Sequence, residues 1–420
     1  MKRITSQLKL ALVLLASLAA SAAHAQTIGD SAWRNDVKTV SLTRTGTEFE
    51  MPVLVMESDD RMVLQFDVLS EHPENLRYTI YHCDAQWRRD DLEPYEFMTG
   101  FESRQIENYD FSFTTLVPYI HYHQVIPGTF AQFIHSGNFV VSVAPDDAPD
   151  SILLTRRFCV SEQSVKIEGN IVRPFDGIDI SRRQQVDVLL SHPSPALAPQ
   201  YLSVAVQQNG RQDNRRWLEF SGYEGSDLAY RNRKCNIFEG GNTFRFFDMS
   251  NLRTPMYKVQ RIERYGGETF AIIRPEEDRS RKHYIAETSL NGGMKVNIWD
   301  RKNPAIEADY VWVNISLPMQ LPMMDGSVHI VGALTDWKLD SASRMDYNMQ
   351  YHAYTKRLLL KQGYYAYQLL FLPVHAQVAE TARLEGDHYE MANQYQIFVY
   401  QRMPSDRADR LIATGRVVGP

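Results

Sequence analysis

Apolar and polar residues alternate in short runs along this chain, and long stretches of helical spacing do not occur. In LRYTIYHC, Leu76, Tyr78, Ile80 and His82 fall on one side while Arg77, Thr79, Tyr81 and Cys83 fall on the other, the two-residue period of a half-buried strand. The same reading predicts strands over 37–44, 61–69, 76–84, 119–126, 138–144 and 152–160, enough for one sandwich. A second set covers 165–172, 185–190, 202–208, 229–238, 244–248, 257–265 and 270–273. Asn209-Gly210 signals a turn because both residues tolerate positive φ, and Trp217 is expected on the returning strand. A third set covers 309–317, 328–334, 347–360, 363–372 and 395–401. In its first strand Val311, Val313, Ile315 and Leu317 share one face, and the rings of Tyr310 and Trp312 share the other.

The expected fold is therefore all-β, a tandem of immunoglobulin-like or early-set β-sandwich domains at 26–160, 161–290 and 291–420. A long loop over 88–115 interrupts the first of them and carries Tyr95, Phe97, Phe101 and Phe111. Long loops with apolar anchors are often functional.

The N-terminus changes the picture from a generic β protein to an exported one. Lys2, Arg3 and Lys9 precede the apolar run Leu10 to Ala20, and Ala23-His24-Ala25 offers small residues before Gln26, which reads as a cleaved signal peptide over 1–25. That run is too short to span a bilayer, and no later stretch reaches roughly 18 consecutive apolar residues, so direct membrane insertion is not expected. The net charge is −6, and the acidic excess concentrates in 26–160. An acidic first domain argues against nucleic acid, whose phosphates reward basic surfaces. Of the three cysteines, Cys83, Cys159 and Cys235, only Cys83 and Cys159 fall in one domain; export permits a disulfide between them, and one thiol is left over.

Motifs for catalysis are missing: no Gly-x-Ser-x-Gly elbow, phosphate loop, His-Glu-x-x-His pair or EF-hand spacing occurs. His121 and His123 project from one face of a strand and invite comparison with a metal site. Without an identifiable third ligand, and beside Tyr119 and Tyr122, they read as packing and hydrogen-bonding residues. A thiol at Cys83 beside Asp84 is a poor nucleophile, so Cys83 reads as core, Asp84 as a turn cap and Trp87 as a cover for the core edge. Neither a metal nor a cofactor is expected, and the chain does not read as an enzyme.

Three blocks carry a family resemblance. His82-Cys83-Asp84 with Trp87, then Tyr119, His121 and Tyr122, then Gly137-Asn138 after Ser136 follow in the order seen in the opening domain of the type IX secretion system Plug family. Ile397, Val399, Tyr400 and the run from Arg407 to Ile412 resemble that family's closing block. The resemblance implies a periplasmic protein of Bacteroidota-type bacteria that associates with the giant outer-membrane β-barrel translocon and closes its periplasmic mouth by occlusion. Tyr95, Phe97, Phe101, Tyr310 and Trp312 are then candidate partner-binding anchors. Separately, VHIVGALTDWKL and QGYYAYQLLF resemble early-set modules of the glycogen-binding kind, in which Trp337 would be the stacking platform. The alternative is thus a periplasmic or surface carbohydrate-binding protein, which requires Trp337 and Tyr367 exposed on one flat face. A hydrolase would require two acidic groups about 5 to 10 Å apart in a cleft.

Overall fold

Alternation is realised almost throughout: in the computed structural model the regular structure of the described residues is nearly all strand, with helix there limited to single turns such as Pro94–Phe97 and Pro304–Glu307. It describes residues 28–47, 51–175, 177, 180–191, 198–287 and 290–420, so the expected signal peptide lies outside the described residues. Six sheets occur among the described residues, and they pack in pairs around three apolar cores.

The first sandwich runs from Ser31 to Ser161. One sheet is built on Leu76–Cys83, Gly137–Pro145 and Leu154–Ser161, the other on Val37–Arg44, Met62–Val68 and Ile120–Ile126. Leu64, Phe66, Tyr78, Ile80, Phe139 and Phe158 fill the space between them. Burying each large apolar side chain contributes about 1.5 to 3 kcal/mol, which is what holds two otherwise half-wet sheets face to face.

The remaining two sandwiches do not follow the boundary expected at residue 290. The middle one pairs Leu202–Gln208 with Gln394–Gln401, which in turn pairs Arg410–Val418, so the last strands of the chain complete the middle sheet. Arg245–Asp248, Val259–Tyr265 and Glu268–Ile273, expected in the middle domain, instead pair with Gly363–Pro373 and Tyr310–Pro318 in the third core. The third sandwich is therefore inserted between the strands of the second. Adjacency in sequence misassigned these strands because sheet pairing is decided by long-range apolar faces.

The Asn209-Gly210 turn takes the expected conformation, with φ of 51° and 75°. It does not close a tight hairpin: Val206 pairs with Arg216, and the intervening loop reaches the third sandwich through Arg211 Nη2, which donates to the Ala379 carbonyl at 2.7 Å.

Candidate functional site

The residues that carried the family resemblance converge on the seams between sandwiches. In the first block, Asp84 caps its turn as expected: its Oδ1 accepts the amides of Gln86 and Arg88, both at 2.9 Å. That turn delivers Trp87, at φ 64°, into a second apolar cluster with Cys83, Ala85, Val140 and Cys159 on the first sandwich and Ala205, Phe398, Tyr400 and Leu411 on the second. Polar contacts frame the cluster. Asn138 Oδ1 accepts from the Tyr400 hydroxyl at 2.8 Å, the Ala85 amide donates to Asp409 at 2.8 Å, and Arg410 forks onto Glu162 at 2.8 and 2.7 Å. The first and last sequence blocks are therefore two halves of one contact.

His82 stands behind this seam. Its Nδ1 pairs with the Asp90 carboxylate and its Nε2 lies 3.2 Å from the Ser136 carbonyl, under the phenyl ring of Phe139. Burial opposes ionisation of Asp90, but the His82 contact outweighs it and holds that carboxyl below the usual carboxylate range. Gly137, at φ 149°, fits because a β-carbon there would sit 2.3 Å from His82 Nε2.

No disulfide joins Cys83 to Cys159; both are free and buried. Each is in register with Asn138 from opposite sides of the Gly137–Pro145 strand, which places them two strand spacings apart, about 9.5 Å. A bridge needs alpha carbons within roughly 7 Å. Burial first, and then the neighbouring Asp90 and Asp84, push the Cys83 thiol up to about 12, so it is not poised as a nucleophile.

The seam between the first and third sandwiches is ionic. Asp67, fully buried, receives His121 Nδ1 at 2.6 Å, the Tyr310 hydroxyl at 2.6 Å and Lys361 Nζ at 2.6 Å. Thr39 Oγ1 lies 2.6 Å from the same Tyr310 hydroxyl. Lys361 also donates to the Ala305 carbonyl and sits 4.1 Å above the Tyr119 ring, whose hydroxyl donates to the Ala308 carbonyl at 2.9 Å. Burial and then Asp67 push Tyr310 well above its ordinary value, so it stays a donor. Burial lowers Lys361 while Asp67 opposes that shift. Beside the pair, Asp309 accepts the amides of Leu116 and Val117 at 2.9 and 3.2 Å, and Arg156 bonds Asp336 at 2.7 Å. His123 turns to Asp110 at 3.4 Å, so the two histidines take separate carboxylates.

Among the anchors expected from sequence, Tyr95 and Phe101 are 75% and 76% exposed. Phe97 and Tyr310 are buried to 2% exposure and are corrected to core and seam residues respectively. Phe97 points inward because the one-turn helix, closed by the Glu93/Glu96 capping box, rotates it onto Phe139. Trp312 is half-buried and donates to Glu268 at 2.9 Å. The exposed rings are joined by one that the sequence reading missed, Phe130 at 92% exposure, and by half-exposed Ile134. The two loops that carry them lie side by side, Thr99 donating to the Gln132 carbonyl at 2.8 Å and Ile134 to that of Phe97 at 2.9 Å. Arg407 ties this rim to the C-terminal block through Glu96 and the Asp91 carbonyl.

The sugar platform is not present in the form required. Tyr367 is fully buried and donates to Glu276 at 2.9 Å, while Trp337 is half-buried against Phe244 and between Gly210 and Gly292.

Three sandwiches locked by an apolar seam, an ionic seam and a returning tail define a multidomain β-sandwich protein, and loops of the first sandwich carry an exposed aromatic rim. Residues 37–162, which include that rim, match the family described as type 9 secretion system plug protein 1st domain. Residues 37–162 are thus a first domain of the type IX secretion plug family. A crystal structure of a hypothetical protein from Parabacteroides merdae is similar over 94% of this chain and 100% of its own, with a TM-score of 0.90 and 28% identity. No curated protein matches.

Proposed function

We propose that this protein occludes the periplasmic opening of the outer-membrane β-barrel translocon of the type IX secretion system, acting by shape and without catalysis. The observation that carries the reading is the plug-family first domain. Two features of the molecule support it. A stopper must hold its form against a wide aqueous barrel, and the seams at Asp67 and at Trp87 tie three bodies together with buried contacts. A stopper must also grip its partner reversibly, and the rim of Tyr95, Phe101 and Phe130 offers aromatic anchors on an acidic domain. Among the described residues no helix is long and apolar enough to cross a membrane, which suits a periplasmic protein held by the translocon.

Affinity purification of the tagged protein from membranes, with crosslinking, tests the partner. Recovery of a very large barrel protein is expected, and its loss with Tyr95→Ser/Phe101→Ser/Phe130→Ser locates the contact. Unchanged permeability of the envelope after deletion, in cells whose barrel lacks its other gate, would overturn occlusion.

A further inference from the structure

The strand Tyr310–Pro318 starts at the ionic seam, where Tyr310 meets Asp67, and at roughly 3.3 Å per residue it ends about 26 Å away. Three loops gather at that end. The Met319 amide donates to the His352 carbonyl at 2.9 Å, and the Val374 amide to that of Asp325 at 2.9 Å. Met319 and Met323 turn inward onto the third core and hold the first loop in place. The side chains left outside are apolar: Leu321, Met324, Met349, Tyr351 and Val374 are 59 to 86% exposed. Single apolar residues on a surface are ordinary, whereas a group of large ones gathered at one place marks a contact site.

Charge and backbone bonding say what kind of contact this is. None of residues 318–324 and 347–354 is Asp, Glu, Lys or Arg, although charged residues make up 23% of the chain. The flanking carboxylates are paired, Asp325 with Arg383 at 2.9 Å and Asp346 with Arg344 at 3.7 Å. The loops also bond their own backbone. The Tyr347 hydroxyl lies 2.8 and 3.0 Å from the carbonyls of Met319 and Gln320, and the Met323 amide donates to the Tyr354 hydroxyl at 2.7 Å. Asn348 Oδ1 accepts the amides of Gln350 and Tyr351 at 2.9 and 3.2 Å. A loop that docks on protein offers such groups to its partner, at about one hydrogen bond per 100 to 200 Å². A loop that enters hydrocarbon must have them satisfied beforehand, since no water is there to replace them.

We propose that this tip docks on a lipid surface, burying Leu321, Met324 and Met349 at the boundary of headgroups and acyl chains and leaving Tyr351 at headgroup level, where amphipathic rings collect. A spanning segment needs roughly 18 consecutive apolar residues. A peripheral contact assembled from three loops does not, so no single run in the sequence announces it. Because the tip is uncharged, the attraction is hydrophobic and owes little to anionic headgroups or to salt. The inference does not rest on occlusion of the translocon, and purified protein with vesicles tests it apart from any protein partner.

The test is flotation of the chain from Gln26 onward, so that the apolar run Leu10 to Ala20 does not contribute, with phosphatidylcholine vesicles, with and without added phosphatidylglycerol. Binding is expected with an association constant on the order of 10⁴ M⁻¹, that of a single myristoyl chain, and should not be weakened in about 1 M salt. Leu321→Ser/Met324→Ser/Met349→Ser should lower it about tenfold or more with an unchanged melting temperature. Met324→Leu/Met349→Leu, which keeps the apolar surface, should bind as the wild type does. No flotation at about 1 mM lipid, or binding that the triple serine variant retains, overturns the proposal. So does binding that requires phosphatidylglycerol and is lost in high salt. Dimers in sedimentation velocity that the serine variant abolishes, without vesicle binding, would overturn it by assigning the tip to a second copy of this chain.

Discussion

Replacing Asp67 by Asn removes the one negative charge on which His121, Tyr310 and Lys361 converge at 2.6 Å each. Asn keeps the volume and an acceptor, so the change isolates charge. Lys361, 1% exposed, is left without its counter-ion between two sandwiches. Stranding one member of a buried pair costs about 3 to 5 kcal/mol, far above the 0 to 1 kcal/mol of a surface pair. The loss should depend on pH. Burial already places Lys361 below its usual 10.5, and without Asp67 to oppose that shift it falls further. A base depressed in the native state binds fewer protons folded than unfolded, so stability rises with pH between the native value and 10.5. Urea unfolding of D67N should therefore show its largest deficit at neutral pH, partly recovered toward pH 10. D67N combined with Lys361→Met should be markedly more stable than D67N alone, since the uncompensated ammonium is gone. A deficit below about 1 kcal/mol, or a double variant no better than D67N, would refute the argument that this charge pair fastens the seam.

Further expectations follow from other buried groups. Gly137→Ala places a β-carbon against His82 at a φ that L-residues avoid, and should lower stability by about 2 kcal/mol or more in urea melts. Arg245, which bonds Glu276 at 2.6 Å and Glu385 at 2.9 Å, should cost about 3 to 5 kcal/mol when changed to Met. Burial raises Glu385, but Arg245 and Arg279 more than offset it and hold it below 4.5; the wild type should lose that contribution as pH falls below 4.5 through the native value, and Arg245→Met should show a shallower acid limb. Cys83 and Cys159, both pushed up to about 12 chiefly by burial, should resist alkylation in native protein, with Cys235 labelled first by mass spectrometry.

Much of the fold was legible because period-two alternation survives in strands that have one wet face, as in Leu76–Cys83 and Tyr310–Pro318. Asp84 as a turn cap and Cys83 as core were readable from local chemistry alone. The seams were not. Asp67 shows in sequence only as a lone acid between Phe66 and Val68, and Lys361 as a lone base after three leucines; nothing local says that they meet across 294 residues. Tyr310 looked like a solvent-facing ring because alternation gives the side of the sheet, not what covers it. Phe130 escaped because one aromatic in the turn after Pro127-Gly128 has no period to read.

The insertion of one sandwich within another sets an order of events for the newly made chain. Gln394–Gln401 and Arg410–Val418 supply half of the sheet begun by Leu202–Gln208 and Arg216–Leu218, so the central body must wait with an open flank while the intervening polypeptide is delivered and collapses. Losing the last two strands would then damage the heart of the molecule more than its periphery. Any helper that shields nascent β structure would find its longest-lived client surface on that half-built sheet.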